Sequence, residues 1–277
     1  MKLQAGTGLG KGLVVELDPT SVLDIKTLFV NGVDLSPHLA IPDDGDARIS
    51  ASLEGFLFTC GPDHIRHPEP FDDGSGRKYP LHGSLSSHPA KIIAADDTEC
   101  RAEIAVTHAD GGASRLDRHW RLDEATGTVY LSDRVTNTGT SAFPVFLMYH
   151  MNIAAKLFDD AVKLEGAMFE GGGFGWRFGP EPGSVFCVPA AAEADGWAQM
   201  RLGPIAAIGG LTLTVRFDTA SLPHLQMWRN QQDPAHVLGI EPVSHRWVSR
   251  QELGDAGEWI MLEPGESRDY GLSFRFD

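Results

Sequence analysis

The sequence has 277 residues, 42% of them hydrophobic and 22% charged, and a formal charge of −15. That composition belongs to an ordinary folded globular chain and excludes a disordered one. The acidic excess excludes a nucleic-acid surface, which needs clustered Lys and Arg to hold phosphates, and it fits a small neutral ligand.

Cys60, Cys100 and Cys187 are odd in number and far apart, so they form neither a disulfide framework nor a metal knuckle. Residues 1–12 lack the apolar run of a signal peptide, and no stretch approaches the roughly 18 apolar residues of a membrane span. The expectation is a cytoplasmic protein with no membrane partner.

In chain order, Gly6-Thr7-Gly8-Leu9-Gly10-Lys11-Gly12 resembles a phosphate loop only superficially. No strand precedes it and the glycine spacing is wrong, so it reads as a flexible entry. Leu13 to Leu17 and Lys26 to Val30 are β-rich, and Asn31-Gly32 after them is a hairpin turn pair. Pro37, Pro42 and the run Asp43 to Asp46 mark an exposed loop. Ser52 to Cys60 is apolar on both faces and reads as a buried strand. The long stretch from Gly61 to Tyr79 carries His64, Arg66 and His67, and a loop of that length points to the rim of a site. Arg66, Arg77 and Lys78 are the nearest approach to a basic pocket, although a solvated loop accounts for them as well. In Leu81-His82-Gly83 the glycine lets backbone or ligand come close, which suits a histidine aimed into a cavity.

Arg101 to His108, Arg115 to Leu122 and Thr128 to Val135 alternate in polarity and are separated by turn residues, as in an antiparallel meander with one wet face. Phe143 to Asn152 is apolar on both faces and reads as a central strand ending near His150. The stretch from Gly171 to Gly183 is rich in glycine and aromatic residues, and it suits a sugar-stacking loop and a plain connection equally. Leu211 to Phe217 is the cleanest alternating strand. His224 to Asn230 leads to Ala235 to Pro242, where Glu241 lies in an apolar strand at a cost unless something pairs with it. Val243 to Leu253 is the one place for a helix, and Trp259 to Leu262 with Tyr270 to Phe276 suggests a closing hairpin.

Many strands, hairpin turns and no βαβ alternation indicate an all-β fold, a large sandwich or a barrel, and no linker divides residues 1–277 into more than one domain. Four short segments then carry a resemblance: Phe58-Thr59-Cys60-Gly61, Leu81-His82-Gly83, Tyr149-His150-Met151-Asn152 and Gly239-Ile240-Glu241-Pro242. Their order resembles the aldose 1-epimerase (galactose mutarotase-like) superfamily, in a DUF4432-like branch, over about Leu13 to Phe276. The resemblance implies an antiparallel β-supersandwich whose concave face binds a sugar. It further implies His150 as general acid on the ring oxygen, Glu241 as general base on the anomeric hydroxyl, and His82 as a helper. Arg66 stands in for the family's substrate-gripping arginine, whose own motif is absent. The family's hydroxyl-binding aspartate has no counterpart, and His224, Gln226 and Trp228 occupy that region. His64, Asn152 and His245 complete the candidate substrate contacts.

Anomer exchange moves one proton off the anomeric oxygen and one onto the ring oxygen, so one acid and one base suffice and no cofactor is required. Two alternatives remain open. A non-catalytic sugar-binding or sensing protein would depend more on Trp228, Trp176 and Trp247. A metal-dependent isomerase or lyase would use His82, His150, Glu241 and His245 as a nitrogen and oxygen set. Strand edges of a large sandwich also pair readily, which allows a homodimer.

Overall fold

A computed structural model describes residues 1–38, 55–71, 73–234 and 236–277. The acidic loop expected at Asp43 to Asp46 and the first residues of the strand expected from Ser52 lie outside them. Two large antiparallel sheets and one two-stranded sheet hold the strands of the described residues. The first runs β1 (Lys2–Gln4), β2 (Leu13–Asp18), β3 (Asp24–Val30), β5 (Leu57–Cys60), β11 (Met148–Ala154), β18 (Val237–Val243), β17 (His224–Asn230), β14 (Gly183–Pro189), with β4 (Val33–Asp34) also on β3. The second runs β13 (Gly173–Gly175), β12 (Lys163–Gly166), β15 (Trp197–Ile205), β16 (Leu211–Asp218), β20 (Ser267–Phe276), β9 (Thr128–Asn137), β8 (Ala113–Asp123), β7 (Glu99–Thr107), β6 (Lys91–Ala95). The all-β sandwich expected from the sequence is the fold found. No helix among the described residues is long and apolar enough to cross a membrane.

Local chemistry accounts for several of these elements. Asn31 and Gly32 both take positive φ, 51° and 81°, which is the hairpin conformation that joins β3 to β4. β8 alternates buried and exposed along its length, with Leu116, Trp120 and Leu122 inward. Ser249 caps a short α-helix, the only one among the described residues, α1 (Arg250–Asp255), by accepting from the Glu252 amide at 3.1 Å. That cap starts the helix seven residues later than the segment expected from Val243.

Two other expectations are corrected. Phe143 to Asn152 is not one strand: β10 (Phe143–Pro144) pairs with β19 (Met261–Leu262), and β11 begins only at Met148. Between them the amides of Val145, Phe146 and Leu147 go to Ile260 O, Pro62 O and Ser244 Oγ, so the backbone is satisfied outside any ladder. The closing hairpin does not form either. β19 pairs with β10, while β20 crosses to the second sheet, where β9 and β16 offer long antiparallel edges on both sides.

The central strands β5, β11 and β18 of the first sheet are buried on both faces. Ile25, Tyr149, Met151, Leu225, Met227, Leu238 and Ile240 pack into the space between the sheets with Leu116, Trp120, Leu131 and Val215. On its other face Phe58, Cys60, Ile65, Phe146, Met148, Val243 and Leu253 make a second cluster. It includes Ile65 from the loop after β5 and Leu253 from α1.

A guanidinium sits within the main core. Arg118 is 1% exposed and all five of its N–H groups are used. Nε and Nη2 donate to the two oxygens of Asp133 at 2.9 and 2.7 Å, Nη1 donates to Asp24 Oδ1 at 2.6 Å and Val22 O at 2.8 Å, and Nη2 also donates to Thr59 Oγ1 at 2.8 Å. Tyr149 donates its hydroxyl to Asp133 at 2.9 Å. Removing one partner of a buried pair strands the other charge, at a cost of about 3–5 kcal/mol. Asp133→Ala is therefore expected to lower the unfolding free energy by about that much, read as a fall in the denaturation midpoint with the slope unchanged.

Candidate active site

The site is built on the outer face of the first sheet, and strand alternation puts it there. Tyr149 and Met151 face the core, so His150 and Asn152 face outward on β11. Ile240 faces the core on β18, so Gly239 and Glu241 face outward. Leu225 and Met227 face the core on β17, so Gln226 and Trp228 face outward. Gln226 pairs with Glu241 across β17 and β18. The register that pairs Met148 with Val243 and Met151 with Ile240 sets His150 opposite Glu241.

These side chains form a continuous line. Arg66 Nε donates to Gln226 Oε1 at 3.3 Å, and Gln226 Nε2 donates to Glu241 Oε2 at 2.5 Å. Glu241 Oε1 lies 3.2 Å from His150 Nε2, off the direction of a hydrogen bond. The His150 ring meets His82 edge-on with centroids 5.4 Å apart and Trp228 at 5.5 Å. Gly239 is required beside them: a Cβ there would lie 2.5 Å from Glu241 Oε1 and 3.2 Å from the His150 ring. His82 and Gly83 both take positive φ, 62° and 83°. A Cβ on Gly83 would collide with the His64 carbonyl at 2.1 Å, which explains the glycine after the histidine.

A cavity of about 320 Å³ opens over this line. Arg66, His82, His150, Gln226, Trp228 and Glu241 line it, joined by His67, Leu81, Val185 and Trp247. Glu241 is fully buried, and loss of water pushes its carboxyl up to about 7 against the lowering influence of the Gln226 hydrogen bond and the Arg66 charge. Burial pushes His150 down to about 4, opposed by the Asn152 side chain and by its own main chain. Burial and the neighbouring His150 push His82 down to about 3. Its Nδ1 lies 3.1 Å from Ile65 O, which can only accept, so Nδ1 carries the hydrogen and Nε2 is left as an acceptor.

Six of the nine candidates from the sequence therefore meet around one cavity, and three do not line it. His64 stacks on Tyr79 and its Nε2 lies 2.6 Å from His67 O. Asn152 is fully buried, donating to Gly55 O at 3.2 Å and flanking His150. The His245 ring lies between Ser244 Oγ at 2.8 Å and Glu258 O at 3.2 Å, and only its carbonyl serves the site, accepting from Arg66 Nη2 at 2.9 Å. With His245 turned away, the four-residue nitrogen and oxygen set considered for a metal is not assembled. Among the described residues no three His, Cys, Asp or Glu side chains are grouped to hold a metal ion.

Trp176 is also elsewhere, 3% exposed and donating to Asp159 O at 2.9 Å, so the glycine-rich stretch adds no ring to this cavity. Of the basic trio, Arg77 is exposed and paired with Asp73 at 3.0 Å, Lys78 is exposed, and Arg66 alone reaches the cavity. Val185 and His67 line the cavity without belonging to any of the sequence motifs. Val185 faces Trp228 in the β14 to β17 register, a relation visible only once the strands are paired. His67 lay within the loop read as a rim.

Solved structures share this fold at low identity. A candidate aldose 1-epimerase from Klebsiella pneumoniae superposes with a TM-score of 0.76 at 18% identity, over 96% of this chain and 77% of that one. The GalM/aldose epimerase homologue from C. elegans gives 0.68 at 14%, over 100% and 98%. The galactose 1-epimerase from Lactobacillus acidophilus gives 0.60 at 12%, over 96% and 91%. No curated protein matches the sequence. The model of the family Domain of unknown function (DUF4432) matches residues 9–169 and 179–276. The chain thus belongs to the DUF4432 family and has the fold of the galactose mutarotase-like proteins.

Proposed function

We propose that this chain, acting as one domain, interconverts the anomers of a monosaccharide in the cavity above Glu241 and His150, using its own side chains as acid and base. The observation that carries this is the contact of a carboxyl pushed up to about 7 with an imidazole pushed down to about 4, 3.2 Å apart at the floor of a cavity sized for one sugar ring.

Between those two limits the pair holds a single proton. With that proton on His150 Nε2, Glu241 is the base and His150 the acid. Glu241 takes the proton of the anomeric hydroxyl as His150 protonates the ring oxygen. The carbon to ring-oxygen bond then breaks and leaves an aldehyde, which rotates and closes on its other face while the two protons return. Atoms and charges balance over the cycle, and the pair ends as it began. His82, neutral and fixed by Ile65 O, presents Nε2 as an acceptor that orients the pair or a sugar hydroxyl. Trp228 and Trp247, the latter 41% exposed, supply faces against which a ring can stack.

Three outcomes are expected. Glu241→Gln lowers kcat for anomer exchange by about 10²–10⁴-fold, followed by polarimetry or NMR from a freshly dissolved single anomer. Sugar-dependent thermal stabilisation of the parent without faster exchange would instead favour the binding protein.

The pH profile of kcat/KM should be bell-shaped. Activity falls below about 4, where His150 takes a second proton, and above about 7, where Glu241 loses the only one.

The third outcome concerns stability. The folded-state pKa of Glu241 is raised from its ordinary 4.5, so its contribution is complete below 4.5 and is lost as pH rises through about 7. Glu241→Gln escapes that loss. The variant should melt higher than the parent at pH 8, by on the order of 3 kcal/mol, and no higher at pH 4.

A further inference from the structure

We propose that Arg66 makes this cavity a site for an acidic monosaccharide, a uronate whose single carboxylate accepts from the guanidinium; this rests on the proposed anomer exchange. Arg66 is 7% exposed, yet both of its protein partners are neutral oxygens, Gln226 Oε1 and His245 O. Its Nη1 has no partner among the described residues, and no carboxylate pairs with it there. Buried guanidinium groups are ordinarily neutralised, because an unpaired charge out of water is costly. Here the loss of water pulls the Arg66 pKa down, against the weaker raising influence of Cys187, Glu241 and Glu69, none of which forms an ion pair with it.

The placement of Gln226 sharpens the point. A guanidinium set directly against Glu241 would neutralise itself and hold that carboxyl low. Instead one amide stands between them, accepting from Arg66 and donating to Glu241. The carboxyl stays high enough to exchange a proton near neutrality, and the positive charge remains available to a ligand.

Geometry and charge select the ligand class. Glu241 and His150 address the anomeric and ring oxygens. A uronate offers the same anomeric and ring oxygens as a neutral sugar together with a single carboxylate, within a cavity that Arg66 also lines. One cation with one unused edge matches a monoanion. A phosphoryl group, with nearly two charges and three acceptor oxygens, asks for more donors than this wall offers. Arg77 and Lys78 are turned to solvent, and burial keeps the imidazoles of His82 and His150 uncharged near neutrality.

The test compares anomer exchange of D-galacturonate and D-glucuronate with that of D-galactose, D-glucose and their 6-phosphates, for the parent and for Arg66→Met. The parent should favour a uronate over the hexose of the same configuration by at least about tenfold in kcat/KM, and Arg66→Met should bring that ratio to about one. Equal turnover of uronate and hexose, preference for a 6-phosphate, or an unchanged ratio in Arg66→Met would overturn the proposal while leaving anomer exchange standing. Thermal shift separates the remaining cases. If no sugar is exchanged but uronates alone stabilise the parent and not Arg66→Met, the anion subsite stands and the proposed activity falls. If uronates neither exchange nor stabilise, both are overturned.

Discussion

Arg118 fixes the relation between the two sheets, and the geometry of the cavity follows from it. Its side chain comes from β8 in the second sheet, and it is met by Asp24 on β3 and Thr59 on β5 in the first. Asp133, on β9, completes the ring and receives Tyr149 of β11. A cation without water tolerates only an arrangement in which every donor is answered, so the three central strands of the first sheet are held in one register. Thr59 and Tyr149 are themselves register partners. With both turned inward, their neighbours Phe58 and His150 must point outward, where the cavity lies. The Thr-Cys-Gly and Tyr-His-x-Asn segments therefore each combine an anchor in the core with a residue on the working face.

Charged groups buried in the core and at the cavity are treated in opposite ways. Arg118 is surrounded by carboxylates and saturated, as a structural ion should be. Arg66 and Glu241 are separated by a neutral amide, and Glu241 Oε1 is left without a hydrogen bond among the described residues. Leaving polar atoms unsatisfied lowers stability. Here the unanswered oxygen of Glu241 borders the cavity.

Much of this was legible from residues alone, for reasons that differ by element. Alternation in β8 and β9 and the Asn31-Gly32 turn are local signals, and local physics settles them. Glu241 stood out because a carboxylate in an apolar strand must be reconciled with its burial. The misplacements share a different cause. Phe143 to Asn152 looks like one strand, but whether a backbone joins a ladder depends on what lies alongside, and here Pro62, Ser244 and Ile260 take its amides. His64 and His245 belong to the right neighbourhood, yet their rings turn to carbonyls two or more residues away. Asn152 shares the face of His150 but lies one pleat deeper, beneath Gly55. Side-chain direction in a loop and depth along a strand are decided by tertiary neighbours that no short motif encodes.

Because His150 and Glu241 face each other across two adjoining central strands, the chain can vary near its reactive centre by exchange of residues but not by change of length. Adding or deleting a single residue in β11 or β18 would turn the imidazole or the carboxylate into the apolar interior and bring a hydrophobic side chain out in its place. The bordering positions obey no such restriction. Val185 belongs to the terminal strand of its sheet, and His67, Leu81 and Trp247 sit on connecting segments. Diversification of what this scaffold accepts would therefore proceed at its periphery, with the paired strands beneath inherited intact.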